Sequence, residues 1–155
     1  MYDVRKDLLD ALRAAPAVYE GVLHGYTAEQ ARAARGGDEG WSVVEVMCHL
    51  RDAEERALER TRAMRDADDP PLASYDQEAW ARERNYAGAD LSTALAAFVY
   101  LRTQHVDELA ALPTAAWERT GRHEEQGQIT ISGHIQHMVS HDSINAAQIA
   151  RQLAL

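Results

Sequence analysis

The sequence has little of what marks secreted, disulfide-stabilised or membrane proteins. Its 155 residues include one cysteine, Cys48, which excludes an internal disulfide. No stretch approaches the roughly 18 to 20 consecutive apolar residues that span a bilayer. No basic start followed by an apolar segment marks a signal peptide. The sequence therefore predicts a soluble, cytoplasmic protein that does not enter membranes.

Basic residues are scarce relative to acidic ones. Sixteen Lys and Arg against 25 Asp and Glu give a formal net charge of −9. Nucleic-acid binding needs a clustered basic surface to neutralise phosphates, whereas the arginines here are interleaved with acids. This charge pattern argues against a nucleic-acid partner.

Helix-forming residues dominate what is present. Alanine supplies much of the apolar content, and long aliphatic and charged residues alternate with helical spacing throughout. A chain of this length matches one ordinary domain that buries roughly 70% of its unfolded surface. We therefore predict a single helical domain over residues 1–155.

Four long amphipathic segments define the predicted architecture. Pro16 interrupts the first and predicts a kink or a tightened turn, and Ser42 with Glu45 forms a capping box at the start of the second. The predicted helices run from about Tyr2 to Leu23, from Ser42 to about Ala67, from Asp90 or Ser92 to before Pro113, and from Ile131, after a Thr130 cap, to about Leu153.

The connections between these helices are long. Thr27 with Gln30 caps a short connector, residues 36–40 form a loop, and Tyr75 to Arg84 forms a short surface helix. The polar stretch from Pro113 to Gln128 is too long for a simple turn, and such loops often line a site. These features predict an all-α fold, a four-helix bundle with crossover connections.

The seven histidines are the first candidates for chemistry. On the last predicted helix His134, His137 and His141 are spaced i, i+3 and i+7, and Asn145 continues the row by one turn. The row is either a metal-ligand edge or the solvated face of an amphipathic helix, and spacing alone does not decide. His49, amid apolar residues on the second helix, favours a metal site because bundles build such sites from facing helices.

A set of short motifs runs through the chain in a fixed order: Trp41, Ser42, Glu45, His49 and Leu50, then Arg102, then His141, Asp142, Gln148 and Ile149. In these residues the chain resembles the DinB/YfiT-like family over nearly its whole length. The family pattern is a tryptophan-led helix with a His-Leu pair, followed by a final helix with two histidines, an acid between them, and Gln-Ile.

The resemblance implies a metal site of three histidines at His49, His141 and position 145. Position 145 is asparagine, and Gln148 follows it in the family register, so Asn145 is a substitution. An amide oxygen is a weak ligand for zinc-like metals. His137 precedes His141 by one turn at the spacing the family uses, so it is the alternative third ligand. Imidazole ligands suit a divalent transition metal, with Zn or Ni expected.

The resemblance also implies a function. The family includes thiol-dependent S-transferases and isomerases that use bacillithiol or mycothiol. We therefore expect a metal-dependent transferase or hydrolase that acts on a small molecule, with water or a low-molecular-weight thiol as the nucleophile. Arg102 or a loop arginine is the candidate to grip an anionic substrate. The alternative is a metal-free, ligand-binding or stress-associated interaction protein whose site degenerated at Asn145. Family membership further implies a homodimer.

Other polar residues near these histidines carry further predictions. Glu45 is either the acid of the capping box or a partner that orients His49, and the box is favoured. Asp52 and Asp142 are expected in solvated salt bridges. His105 is expected to be hydrogen-bonded in the bundle, whereas His123 on the long loop could carry protons above the site.

The remaining candidates are expected to be structural. Cys48 lies between apolar residues, which indicates an inert core thiol. Trp41, Trp80 and Trp117 are expected to pack at the ends of the bundle, with Trp41 the strongest core candidate.

Overall fold

Four long helices form the body of the computed structural model, which describes residues 2–154. They are α1 (Val4–Leu23), α3 (Val43–Asp66), α5 (Leu91–Ala110) and α6 (Ile131–Ala154), with two short helices, α2 (Ala28–Ala33) and α4 (Gln77–Glu83), in the connections. The predicted four-helix bundle is confirmed, and the helix ends differ from prediction by a few residues. No helix of the described chain combines the length and apolarity needed to cross a bilayer.

Short strands lie in the crossover connections, where the sequence predicted only loops. An antiparallel pair joins β1 (Arg35–Gly36) to β2 (Trp41–Ser42), and a three-stranded sheet contains β3 (Pro71–Leu72), β4 (Thr120–His123) and β5 (Gly127–Thr130). In that sheet β3 pairs parallel to β4, and β4 pairs antiparallel to β5. The long connection predicted from Pro113 to Gln128 is therefore ordered, with a 3-10 helix at Thr114–Glu118 before the hairpin.

Both predicted capping boxes form. At α2, Gln30 N donates to Thr27 Oγ1 at 3.1 Å and Thr27 N donates to Gln30 Oε1 at 2.8 Å. At α3, Glu45 N donates to Ser42 Oγ at 3.2 Å and Ser42 N donates to Glu45 Oε1 at 3.3 Å. These bonds satisfy amides that the first helical turn leaves unpaired. The box at Ser42 fixes where α3 begins and hence the face on which His49 lies.

Apolar side chains from all four long helices fill the core. α3 packs against α5 and α6, and α1 packs against the same two helices. Trp41, Cys48 and Trp117 are buried as predicted, whereas Trp80 lies half-buried under Arg84, whose guanidinium carbon is 3.9 Å from the ring centroid. The large apolar side chains that are fully buried are Leu12, Tyr19, Met47, Leu50, Met64, Tyr86, Phe98, Leu109, Ile131, Ile135 and Ile149.

A buried ion network crosses the middle of the bundle. Arg102 of α5 donates from Nη1 and Nη2 to the two carboxylate oxygens of Asp142 at 2.8 and 2.9 Å, and from Nη2 to Glu54 at 2.9 Å. Its Nη1 also donates to the Leu12 carbonyl at 3.0 Å. Because Pro16 has no amide N–H, the helical bond that would occupy this carbonyl is missing. α1 nevertheless continues through Pro16, and the proline leaves Arg102 an acceptor.

Two predictions about this region are wrong. Arg102 cannot grip a substrate, because it is 1% exposed and two carboxylates already engage its guanidinium. Asp142 and Asp52 do form salt bridges, but they are 7% and 0% exposed and so are not solvated. Asp52 accepts hydrogen bonds from Arg51 Nε at 2.8 Å and from the Tyr86 hydroxyl.

His105 extends the network, as its predicted hydrogen-bonded role requires. Its Nδ1 lies 2.7 Å from Glu54 Oε1, and its Nε2 lies 2.7 Å from the Thr61 hydroxyl. Burial raises the pKa of Glu54, but His105 and Arg102 outweigh burial and hold that pKa at about 2. Glu54 is therefore a carboxylate across the whole neutral range, with both oxygens engaged.

Buried His134 predicts a loss of stability in mild acid. Its Nε2 lies 3.2 Å from the Ala57 carbonyl, and burial lowers its pKa from 6.5 to about 4. The unfolded chain therefore binds a proton that the folded chain excludes between these values, so this contribution is complete above pH 6.5 and falls as the pH drops towards 4. At pH 5 the loss reaches about 2 kcal/mol.

Urea unfolding of the wild type and of His134→Gln at pH 7 and pH 5 measures this contribution. Glutamine keeps an N–H donor but cannot titrate, so the variant should show a smaller difference between the two pH values. His24→Gln, at an exposed position, is the matched control. Equal pH dependence in wild type and His134→Gln would show that His134 does not resist protonation.

Candidate active site

A cleft of about 270 Å³ lies between α3, α6 and the β4–β5 hairpin. Each of the two helices contributes one row of side chains to the lining. The hairpin and the segment before α4 form the remaining side of the cleft. Polar and ionisable side chains provide much of the lining, including His49, Arg60, Tyr75, His123, His137 and His141. Four of the seven histidines therefore meet in one cavity.

His49 and His141 face each other across the inner wall of this cleft. Their Nε2 atoms are 3.1 Å apart and their ring centroids are 5.1 Å apart. Neither Nδ1 atom has a hydrogen-bond partner in the protein, and both are buried. In the protein alone, one Nε2–H donates to the other Nε2, so the two rings require opposite tautomers.

Burial keeps both rings neutral. It lowers the pKa of His49 below its usual value. Burial, with His49 as the next cause, lowers the pKa of His141 to about 3. A histidine binds a metal only through a deprotonated nitrogen, so two neutral imidazoles at neutral pH are ready donors.

The pair has the spacing of two ligands on one ion. Nitrogens bound to a tetrahedral zinc at about 2.0 to 2.1 Å lie about 3.3 Å apart, with ring centroids about 5 Å apart. The observed 3.1 and 5.1 Å match these values. Two histidines therefore fit a transition metal, and a third ligand decides whether the site is strong.

The third position is not complete. Asn145 is buried, and its amide nitrogen donates to the His141 carbonyl at 2.9 Å. It does not line the cleft. His137 does, with a ring centroid 6.3 Å from that of His141. Within residues 2–154, no group of three or more His, Cys, Asp or Glu side chains stands ready to hold a metal.

His123 faces the same cleft from β4, in line with its predicted position above the site. Its Nδ1 accepts hydrogen bonds from the backbone amides of Glu125 and Gln126 at 3.1 and 3.3 Å. Burial, with Arg60 as the next cause, lowers the pKa of His123. A neutral ring that accepts at Nδ1 carries its proton on Nε2, so the hairpin fixes one tautomer.

Arg60 is a functional candidate that sequence reasoning missed. Its Nη2 donates to the Ala73 carbonyl at 2.7 Å, but its Nε is buried without a partner. The spacing of His49, Ala53, Ala57 and Arg60 along one face of α3 was a signal that could have revealed it. The stripe can be identified as a wall of the cleft only when the positions of the β4–β5 hairpin and of the segment before α4 are known.

The remaining candidates lie outside the cleft. Glu45 Oε1 accepts from Ser42 N and, at 3.2 Å, from Arg35, so its capping role holds and it makes no hydrogen bond to His49. Burial raises the pKa of the Cys48 thiol, which is consistent with an inert core cysteine. His134 and His105 form hydrogen bonds within the core instead, with the Ala57 carbonyl and with Glu54 respectively.

A helical bundle with a histidine-lined cleft is the class of protein that these observations define. Residues 11–149 match the model of the DinB superfamily, and the chain belongs to that superfamily. The predicted resemblance is therefore confirmed.

Two relatives illustrate the match. The chain is 29% identical over 96 residues to a protein of Oceanobacillus iheyensis named as a candidate metal-dependent hydrolase, and it covers 55% of that protein and 62% of itself, so it spans about half the length of this curated relative. It also aligns with YfiT from Bacillus subtilis, described as a probable metal-dependent hydrolase with an unusual four-helix bundle topology. That alignment has a TM-score of 0.88 and 23% identity over 96% of this chain and 85% of YfiT.

Proposed function

We propose that this protein is a metal-dependent hydrolase that acts on a small molecule in the cleft beside His49 and His141. The observation that carries the proposal is the convergence of two neutral, buried imidazole nitrogens to 3.1 Å. The names of the two relatives support hydrolysis as the reaction class. Zinc or nickel suits the nitrogen donors.

In this proposal His137 takes the place that Asn145 leaves. The His137 and His141 centroids are 6.3 Å apart, about 1 Å more than two imidazoles on one tetrahedral ion require. A rotation of the His137 side chain, which is exposed, would close that difference. The metal would supply a Lewis acid that activates the attacking nucleophile.

His123 has a complementary role in the proposal. Its Nε2–H is available to the cleft because backbone amides occupy Nδ1. It can donate a hydrogen bond to an oxygen of the substrate on which negative charge develops. The lowered pKa of His123 favours the neutral ring at physiological pH.

The nucleophile distinguishes two reactions at this site. With water the enzyme is a hydrolase, and with a low-molecular-weight thiol such as bacillithiol or mycothiol it is an S-transferase. We favour water because the relatives' names specify hydrolysis. The cytoplasmic location and the homodimer stay predictions.

One observation favours a second candidate, a metal-free ligand-binding or interaction protein. The Asn145 amide is engaged with the His141 carbonyl, and the two facing imidazoles can satisfy each other through one hydrogen bond. This hydrogen bond brings the two Nε2 atoms together without an ion. Metal affinity therefore separates the two candidates.

Zinc titration against a chromophoric chelator tests the proposal. The wild type should bind one equivalent, and His49→Ala should lose roughly 10-fold or more of the affinity, because a direct ligand is worth at least as much as the outer-shell groups whose loss costs 10- to 100-fold. His137→Ala should show a comparable loss, whereas His24→Ala, at an exposed position, should not.

Cobalt(II) gives a second readout of the same site. A tetrahedral set with three imidazoles should produce visible absorption bands in the wild type, and these bands should weaken in His137→Ala. A wild type that takes up no saturable zinc would favour the metal-free candidate. Binding that is insensitive to His137→Ala would remove this histidine from the ligand set.

A further inference from the structure

Arg60 differs from the other buried and half-buried arginines of the described chain because it has no carboxylate partner. Every other buried or half-buried arginine within residues 2–154 has a carboxylate oxygen within 4.0 Å. Arg60 has none, and its Nε is buried without a hydrogen-bond partner. A guanidinium withdrawn from water loses hydration that only an anion or several acceptors replace.

The surroundings of Arg60 do not supply that anion. Its one hydrogen bond is to the neutral Ala73 carbonyl. Glu125 also lines the cleft but is exposed and forms no ion pair with Arg60. Burial, with neighbouring Arg56 as the next cause, lowers the pKa of Arg60, and the nearby carboxylates of Glu59 and Glu125 offset this only in part. The chain is acidic overall, and Arg60 is the one Lys or Arg side chain among the described residues that line the cleft.

We infer that Arg60 binds an acidic group of the substrate, a carboxylate or a phosphate, in the cleft that His49 and His141 also line. The inference deepens the proposed function, and rests on it, by naming the chemical class of the substrate. A guanidinium with Nε and Nη donors still free suits the paired oxygens of such a group.

The position of Arg60 also limits the shape of the substrate. His49 and Arg60 lie on one face of α3, eleven positions apart in sequence, which corresponds to a rise of about 16 Å along the helix axis. The long arginine side chain shortens that separation. The cleft therefore suits an extended molecule with its reacting group near the histidine pair and its acidic group towards Arg60.

His123 lies beside this cation, since Arg60 contributes to the lowered pKa of the His123 ring. An acidic group on Arg60 would then place the middle of the substrate next to the Nε2–H of His123. The hairpin thus serves both the recognition of the substrate and the hydrogen-bond donation proposed above.

Anion binding to the metal-free protein tests the inference separately from metal chemistry. Inorganic phosphate and acetate are titrated while the arginine Nε–H signals are followed by ¹H–¹⁵N NMR. In the wild type the Arg60 signal should shift with a saturable curve. Arg60→Gln should weaken binding by at least about tenfold, because a charge-assisted hydrogen bond is lost, and Glu125→Gln should tighten it. Arg65→Gln, the same change on the same helix outside the cleft, should leave binding unaltered.

The outcomes distinguish this inference from the proposed function. If anion binding is saturable and depends on Arg60, but the zinc titration shows no binding, the anion site is sustained and the metal-dependent hydrolase is overturned. Zinc binding that depends on His49, with anion affinity equal in wild type and Arg60→Gln, would do the reverse. An Arg60 signal that does not move in the wild type would overturn the inference without reliance on any variant.

Discussion

Replacing Arg102 with methionine is expected to lower the free energy of unfolding by about 3 to 5 kcal/mol, the cost of removing one partner from a buried ion network. The substitution would leave Glu54 and Asp142 inside the core without their cation. It would also leave the Leu12 carbonyl without a donor, since Pro16 cannot supply one. Methionine fills a similar volume, so the loss reports charge and hydrogen bonding more than a cavity.

Urea unfolding at pH 7, followed by circular dichroism, measures this loss. Arg62→Met is the matched control, because Arg62 forms an ion pair with Glu108 but remains 42% exposed at its side chain. An exposed pair of this kind contributes about 1 kcal/mol or less. If the two variants lost equal stability, the network would be no more important than a surface salt bridge.

Replacing Asn145 with histidine is expected to raise zinc affinity by roughly 10- to 100-fold or more, since a direct ligand contributes at least as much as an outer-shell partner. The position is buried one helical turn from His141, so the new imidazole starts from the face that already carries the pair. Asn145→Gln alters the side chain without adding an imidazole and should leave affinity near that of the wild type.

A double substitution shows which histidine serves as the third ligand. If His137 completes the site in the wild type, His137→Ala should weaken zinc binding there but have little effect beside Asn145→His. The effect of His137→Ala on zinc affinity would then depend on the residue at position 145. Such non-additivity is expected of groups that share one ion. No gain from Asn145→His would mean that the geometry around position 145 no longer matches a ligand position.

Local signals made the fold predictable. The capping residues Thr27, Ser42 and Asp90 bond to amides within three positions of themselves in the chain, so their effect is visible in sequence. The parallel pairing of β3 with β4 joins residues 71–72 to residues 122–123. Nothing local specifies a contact across fifty positions, and two-residue strands have no periodicity to detect.

The candidate site was predictable in part. His49 and His141 could be named from the family pattern, and they do face each other. The roles of the arginines could not, because both Arg102 and Arg60 lie on amphipathic helices and their sequence contexts look alike. Only the arrangement of neighbouring carboxylates separates a saturated core guanidinium from one that faces a cleft.

The two walls of the cleft have different origins in the chain. The histidine pair belongs to bundle helices whose opposite faces hold the core, whereas His123, Glu125 and Tyr75 belong to the crossover connections. Connections tolerate sequence change better than packed helices do. Relatives can therefore change this wall of the cleft by exchanging the connections while the helices stay as they are, so the shape of the cleft and the stability of the bundle can evolve almost independently in this architecture.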